Sequence, residues 1–271
     1  MTTTNATRGE TGALAESAIH EDWVAKYRTG QAQRFYEQAF DEITRRLGAP
    51  RDARILDAGC GSCAKSVLLA SRGFMVTGAD FSPDALALGA RTLAANGLSE
   101  RVTLRQADLT KLPFATGEFP YAICWGVLMH VPDLQSAMAE LARVVRPGGT
   151  LVISEGNMYS LQSIAIRTLR RLLGRGRGHV RRVPAGLESI EDTHQGQLLT
   201  RQVDMAWFIA EFDRLGLRLK TRIPGQFSEL YAILPWGPAR TAIHLLNHAW
   251  FHWIRRPGPA FGNILMFEKK G

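Results

Sequence analysis

The chain has 271 residues, of which 45% are hydrophobic, and this is enough to build one sizeable buried core. A formal net charge of +8 suits an anionic partner or surface but does not select a fold. The sequence contains no apolar stretch of roughly 20 residues that could span a bilayer, and its three cysteines are too few for a disulfide framework. Composition therefore favours a globular protein of a reducing compartment, by default the cytoplasm, with at most peripheral membrane contact.

The N-terminal part of the chain divides into a tail and a helical segment. Residues 1–19 are polar and threonine-rich, which predicts a disordered tail. In residues 20–50, apolar side chains recur every four positions from Phe35 to Leu47, and Pro50 follows as a stop signal. We therefore expect helices in front of the core.

From residue 54 to residue 156, short apolar strands alternate with amphipathic helices. The predicted strands are Arg54–Asp57, Met75–Asp80, Val102–Ala107, Tyr121–Trp125 and Gly149–Glu155. The predicted helices are Ala64–Ser71, Pro83–Asn96 and Leu134–Val145, the last of which is followed by a turn over Arg146-Pro147-Gly148-Gly149. This alternation is typical of a parallel sheet with helices on both faces.

The remaining chain completes the predicted sheet. A helix over Gln202–Leu215 and strands over Leu217–Ile223 and Asn263–Phe267 bring the total to seven strands. Residues 157–200 and 224–261 do not fit the alternation, and insertions of this length are usually lids or flexible segments. We expect an α/β fold with a doubly wound, mostly parallel seven-stranded sheet, built as a single domain over residues 20–271 with helical lid insertions.

A glycine-bearing turn follows the first predicted strand and opens directly onto a helix. It reads Asp57-Ala58-Gly59-Cys60-Gly61. Glycine lets the backbone approach a ligand closely, and the exposed N–H groups at a helix start favour a negative group. The turn therefore predicts a ligand-binding site.

Two acidic residues lie at the ends of the neighbouring strands. Asp80 ends the second strand, and Asp108 follows the third. The two carboxylate oxygens of Asp80 can accept hydrogen bonds from a ribose diol. Because ligands of open α/β sheets bind outside the carboxyl ends of the strands, we expect the turn and both acids to line one crevice.

This arrangement resembles the class I S-adenosylmethionine-dependent methyltransferases, close to their small-molecule and quinone-methylating branches. The resemblance covers about Arg54 to Gly156 and implies a Rossmann-like fold, S-adenosylmethionine as the cofactor and methyl transfer as the activity. The cofactor-binding residues that it implies are Tyr27, Asp57, Gly59, Cys60, Gly61, Asp80, Phe81, Asp108, Leu109 and Trp125.

The resemblance also implies a role for most of these residues. The glycine turn holds the methionine part of the cofactor, with Tyr27 closing over its carboxylate, and Asp80 binds the ribose hydroxyls. Phe81 packs on the adenine. Asp108 and the Leu109 backbone read the adenine edge, and Trp125 lines the cofactor near its sulfonium. Cys63 departs from the family, where a third glycine is often found.

Two alternatives remain open at this point. The pattern Gly59-x-Gly61-x-x-Ala64, with an acidic residue about 20 positions later, also fits a relaxed dinucleotide fingerprint and an NAD-dependent enzyme. The acids at positions 57 and 108 match the methyltransferase pattern instead. From a different class, a non-catalytic nucleotide-binding protein could have kept the pocket.

Two histidines are candidates for a general base, which a hydroxyl acceptor would need. His130 follows the fourth strand, and His194 precedes the later helix. Glu155, at the end of the fifth strand, is a third candidate but is better interpreted as a structural carboxylate. A histidine hydrogen-bonded within its own loop is the alternative interpretation of His130.

The first insertion contains a basic amphipathic segment. Apolar side chains from Leu161 to Leu172 form one stripe, and arginines crowd the remaining faces from Arg167 to Arg182. Such a segment can lie on an anionic membrane or cover an acidic substrate, or it can be a solvated lid. It has no interleaved aromatic residues for base stacking, so nucleic acid is not expected.

The second insertion contains three histidines at four-residue spacing, His244, His248 and His252. This spacing can chelate a metal, but no carboxylate or cysteine accompanies it, so we expect no metal site. Its tryptophans favour an apolar acceptor pocket. We therefore expect S-adenosylmethionine-dependent methylation of an apolar or amphiphilic small molecule, most simply at oxygen; the sequence leaves the oligomeric state open.

Overall fold

A computed structural model of the chain describes residues 30–174, 180–193, 196–234 and 237–271. The strands are β1 Arg54–Ala58, β2 Met75–Asp80, β3 Val102–Gln106, β4 Phe119–Trp125, β5 Val145–Gly156, β6 Val180–Val183, β7 Gly186–Thr193, β8 Gly196–Val203, β9 Leu217–Pro224 and β10 Gly262–Lys269. The helices are α1 Gly30–Leu47, α2 Ala64–Ser71, α3 Pro83–Ala95, α4 Leu134–Val144, α5 Leu161–Leu172, α6 Met205–Arg214 and α7 Gly237–Ala249. Single turns lie at Ser99–Arg101, Leu128–His130, Leu230–Ala232 and Trp250–Ile254.

The central sheet has seven strands in the order β3-β2-β1-β4-β5-β10-β9. Strands β1 to β5 are parallel to one another, and only β10 runs against its neighbours. Strand β9 therefore runs in the same direction as β5. The carboxyl ends of six strands meet at one edge, and the predicted doubly wound, mostly parallel sheet is confirmed.

Each face of the sheet buries a separate apolar layer. On one face, helices α4 and α6 pack Leu141 and Phe208 against Phe267 of β10. On the other, helices α1 and α2 pack Phe40 and Leu69 against Ile55 of β1. Two buried layers on one sheet hold the strand ends rigidly, because close-packed side chains resist displacement.

Polar side chains fix the start of the helices that follow the strands. Ser82 caps α3 through a 3.1 Å hydrogen bond from Ala85 N, with Pro83 at the first helical position. Asp133 caps α4 by accepting from Ser136 N at 3.1 Å. These caps satisfy backbone N–H groups that the helix leaves unpaired, so each of these loops at the sheet edge ends, and its helix begins, at a defined residue.

Two element starts differ from the sequence prediction by three or four residues. The helix predicted from Gln202 begins at Met205, because Gln202 pairs with Leu187 in a sheet and Asp204 then caps the helix. The turn predicted over residues 146–149 lies inside β5, which spans Val145–Gly156. There the pairing with β4 shifts register, so the turn is a bulge within one long strand.

The first insertion contains a small sheet that the sequence did not predict. Strands β6, β7 and β8 form an antiparallel sheet in that order. It docks on the main sheet edge through backbone hydrogen bonds, among them Met158 N to Val203 O at 3.0 Å. The insertion thus places β8 beside the loop that follows β4. Within the described ranges, no helix combines the length and apolarity needed to cross a bilayer.

Candidate functional site

The glycine turn lies between β1 and α2 and is tied to β2. Gly59 N and Cys60 N both donate to Ala79 O, at 2.7 and 3.0 Å. Gly59 has φ +78°, and a Cβ there would lie 2.5 Å from Val127 Cγ1, so a side chain at this position would collide with the loop after β4. Gly61 also has a positive φ, of 50°. The turn therefore needs glycine both for its conformation and for its close approach to that loop.

Asp80 connects the turn to the end of β2. Its Oδ2 accepts a hydrogen bond from Gly61 N at 2.8 Å, and its Oδ1 accepts from Ser82 N at 3.0 Å. Each carboxylate oxygen carries two lone pairs and can accept more than one hydrogen bond. The adjacent Phe81 is 39% exposed at the sheet edge. A carboxylate and an exposed aromatic ring thus stand side by side, as the sequence predicted.

The end of β3 adds Asp108 and Leu109. Asp108 is exposed and accepts from Thr110 N and Thr110 Oγ1, both at 2.8 Å, whereas Leu109 is buried. Gln106 Nε2 donates to Phe81 O at 3.1 Å and joins this strand end to the preceding one. The structure therefore brings the predicted ribose and adenine residues to one edge; their binding roles stay predictions.

Asp57 lies beneath the turn rather than at its rim. It is fully buried, and Ser66 Oγ donates to its Oδ2 at 2.6 Å. Burial raises the pKa of Asp57 to about 6; the Ser66 hydrogen bond and the Lys65 ammonium lower it, and the Asp80 charge raises it. This placement lets Asp57 support the turn and its electrostatics from below.

Aromatic rings wall the site at the end of β4. The Trp125 ring lies 5.2 Å from Phe40 and 6.1 Å from Tyr36, centroid to centroid. Lys65 Nζ lies 3.2 Å from the Tyr36 ring centroid and 5.9 Å from that of Trp125. A cation held against aromatic faces is attracted by their quadrupoles, so the ammonium has a defined place beside the turn.

His130 lies in the turn after β4 and is hydrogen-bonded to the small sheet. Its Nδ1 is 2.7 Å from Leu199 O, so Nδ1 carries the proton. Burial lowers the pKa of His130 to about 4, the bond to Leu199 raises it, and the Arg201 charge lowers it further. The imidazole is neutral at pH 7 and a weak base.

Two predicted site residues lie outside the described part of the chain. Tyr27 falls before residue 30, and His194 falls between residues 193 and 196. Their predicted roles, covering the cofactor carboxylate and acting as a base, stay predictions.

A buried ion pair, which was not predicted from the sequence, holds the loop after β4. Arg201 of β8 is 2% exposed and donates to Glu188 Oε1 at 2.7 and 2.9 Å. Its Nη1 also donates to Leu128 O at 2.8 Å and to Val131 O at 3.1 Å. No spacing pattern marks this contact, because Arg201 and Leu128 are 73 residues apart.

Glu155 holds the same loop from the opposite side. Its Oε1 accepts from Leu128 N at 2.9 Å, and its Oε2 has no hydrogen-bond partner in the part of the chain that the structure describes. Burial raises the pKa of Glu155 to about 8, against the lowering effects of backbone N–H groups and Arg201. The carboxyl group is therefore protonated at pH 7, which suits the structural interpretation.

The histidines of α7 do not converge with other ligands. His244 stacks on Tyr231 at 4.3 Å, and His248 lies 4.4 Å from His252, centroid to centroid. Across the described residues, no group of three or more His, Cys, Asp or Glu side chains could hold a metal ion.

Comparison with known proteins gives a consistent family. Residues 56–153 match the family described as a methyltransferase domain. The chain is 33% identical over 120 residues to the methyltransferase GfsG of Streptomyces halstedii, covering 44% of this chain and 43% of that relative. It is 38% identical over 122 residues to the demethylmenaquinone methyltransferase of Mycolicibacterium gilvum, covering 45% and 49%. The chain therefore spans about half the length of the relatives it matches, and the matched part contains the glycine turn.

Among solved structures, the chain is similar to the magnesium protoporphyrin IX methyltransferase of Synechocystis PCC 6803 with bound S-adenosylhomocysteine. The TM-score is 0.63 at 16% identity, and the match covers 96% of this chain and 98% of that one. At this identity, the likeness is one of fold. It extends over the insertions as well as the central sheet.

Proposed function

We propose that the chain carries a class I S-adenosylmethionine-dependent methyltransferase domain and that it methylates a hydroxyl group of an apolar or amphiphilic small molecule. The observation that carries the proposal is the convergence of the Gly59–Gly61 turn, Asp80 and Trp125 at one sheet edge. When bound, S-adenosylmethionine supplies an electrophilic methyl group on a positively charged sulfur.

The residues at this edge fit the cofactor. Asp80 is fixed by two backbone donors, and carboxylate oxygens that each accept more than one hydrogen bond are the chemistry that binds ribose hydroxyls. Phe81 offers an exposed ring for the adenine, and Asp108 and Leu109 lie at the next strand end for its edge. The glycine turn offers backbone N–H groups to the methionine part. We expect Cys60 to contribute only its backbone, because its side chain is buried.

The loop after β4 has a positioning role in this proposal. His130 is a weak base, because burial lowers its pKa to about 4, and its Nδ1 proton is donated to Leu199 O. We infer that His130, together with Arg201, holds the backbone of residues 127–131 against the turn. His194 stays a predicted base.

Support for an apolar or amphiphilic acceptor comes from the lid side and from a relative. Large apolar side chains are exposed there, among them Ile233 at 74% and Leu245 at 66%. Single exposed apolar residues are ordinary, but groups of them rim sites for apolar ligands. The Mycolicibacterium gilvum relative is named for demethylmenaquinone. The acceptor class of this chain is a proposal on those grounds.

The cofactor assignment is tested by thermal unfolding with added ligand. S-adenosylmethionine and S-adenosylhomocysteine should raise the Tm through mass action, by a free energy of about 2.7 kcal/mol at a hundredfold excess over Kd. NAD should leave it unchanged. Release of S-adenosylhomocysteine with hydroxylated acceptors then tests transfer. An equal or larger Tm rise with NAD would contradict the proposal, and binding without any release would favour a non-catalytic nucleotide-binding protein.

We also propose that the lid meets an anionic membrane surface from the cytoplasmic side. Helix α5 buries only Ser163, and Leu169 and Leu172 are 57% and 79% exposed. Arg167 has its pKa lowered by burial and by the neighbouring charges of Arg171 and Arg182, so these arginines lie close together. Clustered cations beside an exposed apolar stripe are the chemistry that binds anionic lipid headgroups.

A further inference from the structure

A further carboxylate group, that of Glu229, lies at the sheet edge that carries the glycine turn. Strand β9 ends at Pro224, at the same edge as the glycine turn, and the following loop contains Glu229. The loop begins with two backbone hydrogen bonds to β10, Gly225 N to Gly262 O at 2.7 Å and Gly262 N to Gln226 O at 2.8 Å. Glu229 is therefore presented from a rigid strand end.

Buried polar side chains fix the backbone on both sides of Glu229. Asn247 of α7 bonds both polar groups of the Ser228 backbone, accepting from its N–H and donating to its carbonyl, each at 2.9 Å. Gln162 of α5 accepts from Glu229 N at 2.9 Å, and Tyr231 donates to Gln226 Oε1 at 3.0 Å. Three elements of the two insertions thus set the position of one side chain. Catalytic and binding side chains are typically held on a rigid scaffold by hydrogen bonds of this kind.

The Glu229 carboxylate itself is not used by these contacts. Among residues 30–174, 180–193, 196–234 and 237–271, it accepts no hydrogen bond and forms no ion pair within 4 Å. Burial raises its pKa to about 7, and the Lys65 ammonium lowers it. Tyr231, which follows in the same loop, and His244 of α7 stack on each other at 4.3 Å.

Lys65 connects Glu229 to the cofactor turn. The same ammonium lowers the pKa of Glu229 and of Asp57, so it lies within electrostatic range of both. It is held against the rings of Tyr36 and Trp125. Glu229 therefore lies at the sheet edge that carries the glycine turn, within electrostatic range of the ammonium held against the Tyr36 and Trp125 rings.

We propose that Glu229 is the general base that accepts the proton from a hydroxyl group on an aromatic ring, and that Lys65 stabilises the oxygen that loses it. This inference rests on the proposed methyl transfer. The partly exposed ring of Trp125 suits an aromatic acceptor, because stacked or edge-to-face rings are favoured. Lys65 suits an oxygen that becomes negative during the reaction.

The step balances without any further reagent. The acceptor O–H bond breaks and its proton goes to a Glu229 oxygen, while an oxygen lone pair forms the bond to the methyl carbon. The methyl–sulfur bond breaks, and its electron pair stays on sulfur. The products are a methyl ether, S-adenosylhomocysteine and protonated Glu229. A carboxyl group that titrates near pH 7 can then return the proton to solvent.

The kinetic test uses 1,4-dihydroxynaphthalene and catechol as probes and follows S-adenosylhomocysteine release from about pH 5 to about pH 9. We expect Glu229→Gln to lower kcat by about 100- to 10,000-fold and to remove the rise of the wild-type rate between about pH 6 and about pH 8. The affinity for S-adenosylmethionine, measured by calorimetry, should change less than about threefold. Glu191→Gln, at an exposed position of β7, is the control and should keep the wild-type profile.

A second readout does not depend on turnover. In protein labelled with ¹³C at glutamate carboxyl groups, one NMR signal absent from Glu229→Gln should titrate near pH 7. In Lys65→Met the same signal should titrate at higher pH, because the ammonium no longer favours the carboxylate.

The outcomes separate this inference from the proposed function. Failure to bind S-adenosylmethionine would remove the proposed function itself. Full activity of Glu229→Gln with the wild-type pH profile, or titration of its signal below about pH 5, would overturn the role of Glu229 while leaving methyl transfer intact. A wild type that binds the cofactor but releases no S-adenosylhomocysteine with either probe would overturn the aromatic acceptor.

Discussion

The sheet edge has a cofactor side, formed by the ends of β1, β2 and β3, and a lid side, formed by the two insertions and the loop after β4. The two sides are held together in different ways. On the cofactor side, the contacts join neighbouring strand ends, as in the bond from Gly61 N to Asp80, only 19 residues apart. On the lid side, side chains join distant segments: Arg201 reaches Leu128 across 73 residues, and Gln162 reaches Glu229 across 67. The cofactor side is thus formed by local sequence, whereas the lid side exists only when the insertions dock.

The lid side also contains the charges that are hardest to bury. Arg201 and Glu188 are both less than a tenth exposed, and Arg201 also holds the loop after β4. On the cofactor side, Asp57 and Asp80 are buried as well, but they are bonded to a hydroxyl or to backbone N–H groups within 19 residues. We therefore expect substitutions on the lid side to affect stability and those on the cofactor side to affect binding.

The largest expected effect is that of Arg201→Met on stability. The substitution leaves Glu188 buried without its main partner, and breaking one member of a buried pair is destabilising by about 3–5 kcal/mol. Urea unfolding near neutral pH measures this change. Arg181→Met is the matched control, because Arg181 bonds the same Glu188 at 2.7 Å but is 73% exposed, so its loss should amount to about 1 kcal/mol or less. Equal effects of the two substitutions would contradict the contrast between the two sides.

The next effect is a pH dependence from Glu155. Its folded-state pKa of about 8 lies above its ordinary value of 4.5, so the folded protein keeps the proton that the unfolded chain releases between these values. The free energy of unfolding should fall as pH rises through this window. Glu155→Gln, which cannot bind or release this proton, should remove the fall.

A second carboxylate, far from the site, should show the opposite sign. Hydrogen bonds from three arginines outweigh burial and lower the pKa of Glu42 to about 2. Its contribution is present above the ordinary value of 4.5 and is lost as pH falls towards 2. Urea unfolding at several pH values should therefore show opposite changes: Glu155→Gln removes the loss of stability at high pH, and Glu42→Gln removes the loss at low pH. If Glu155→Gln keeps the wild-type dependence of stability on pH, the assigned burial of Glu155 is wrong.

On the cofactor side, Asp80→Ala should weaken S-adenosylmethionine binding by about 1.5–3 kcal/mol, the range for hydrogen bonds to a charged group. Calorimetry with S-adenosylhomocysteine measures the change. Asp84→Ala is the control, because Asp84 is exposed on the first turn of α3, close to Asp80 in sequence. An unchanged affinity in Asp80→Ala would place the cofactor elsewhere.

The cofactor side could be predicted from the sequence for a physical reason. Its chemistry is concentrated in a turn and in two strand ends, where glycine, acidic residues and apolar runs have fixed spacing. The lid side has no such pattern. In β7, which spans Gly186–Thr193, the apolar residues Leu187 and Ile190 lie three positions apart and do not alternate with polar ones, so the strand is recognisable only once it pairs with β6 and β8.

The missed site residues share this cause. Arg201 and Glu229 look like ordinary surface charges in the sequence, because nothing near them identifies a buried partner. The helix boundary missed at Gln202 is similar, since pairing with Leu187 overrides a helical pattern. The sequence does not show which distant segments come into contact in the fold.

The smallest expected effect concerns the outer surface of the lid. Each arginine near an anionic membrane contributes about 1 kcal/mol, which falls off within a Debye length. Arg170→Gln and Arg171→Gln, both exposed on α5, should therefore each weaken binding to phosphatidylserine-containing vesicles by about fivefold at low salt. Arg91→Gln removes the same charge from an exposed position on α3 and should leave vesicle binding unchanged. Sedimentation with and without phosphatidylserine, at low and high salt, measures all three variants. If Arg91→Gln weakens binding as much as the α5 variants, the attraction reflects net charge alone; if the wild type does not sediment at all, the arginines are a solvated lid face.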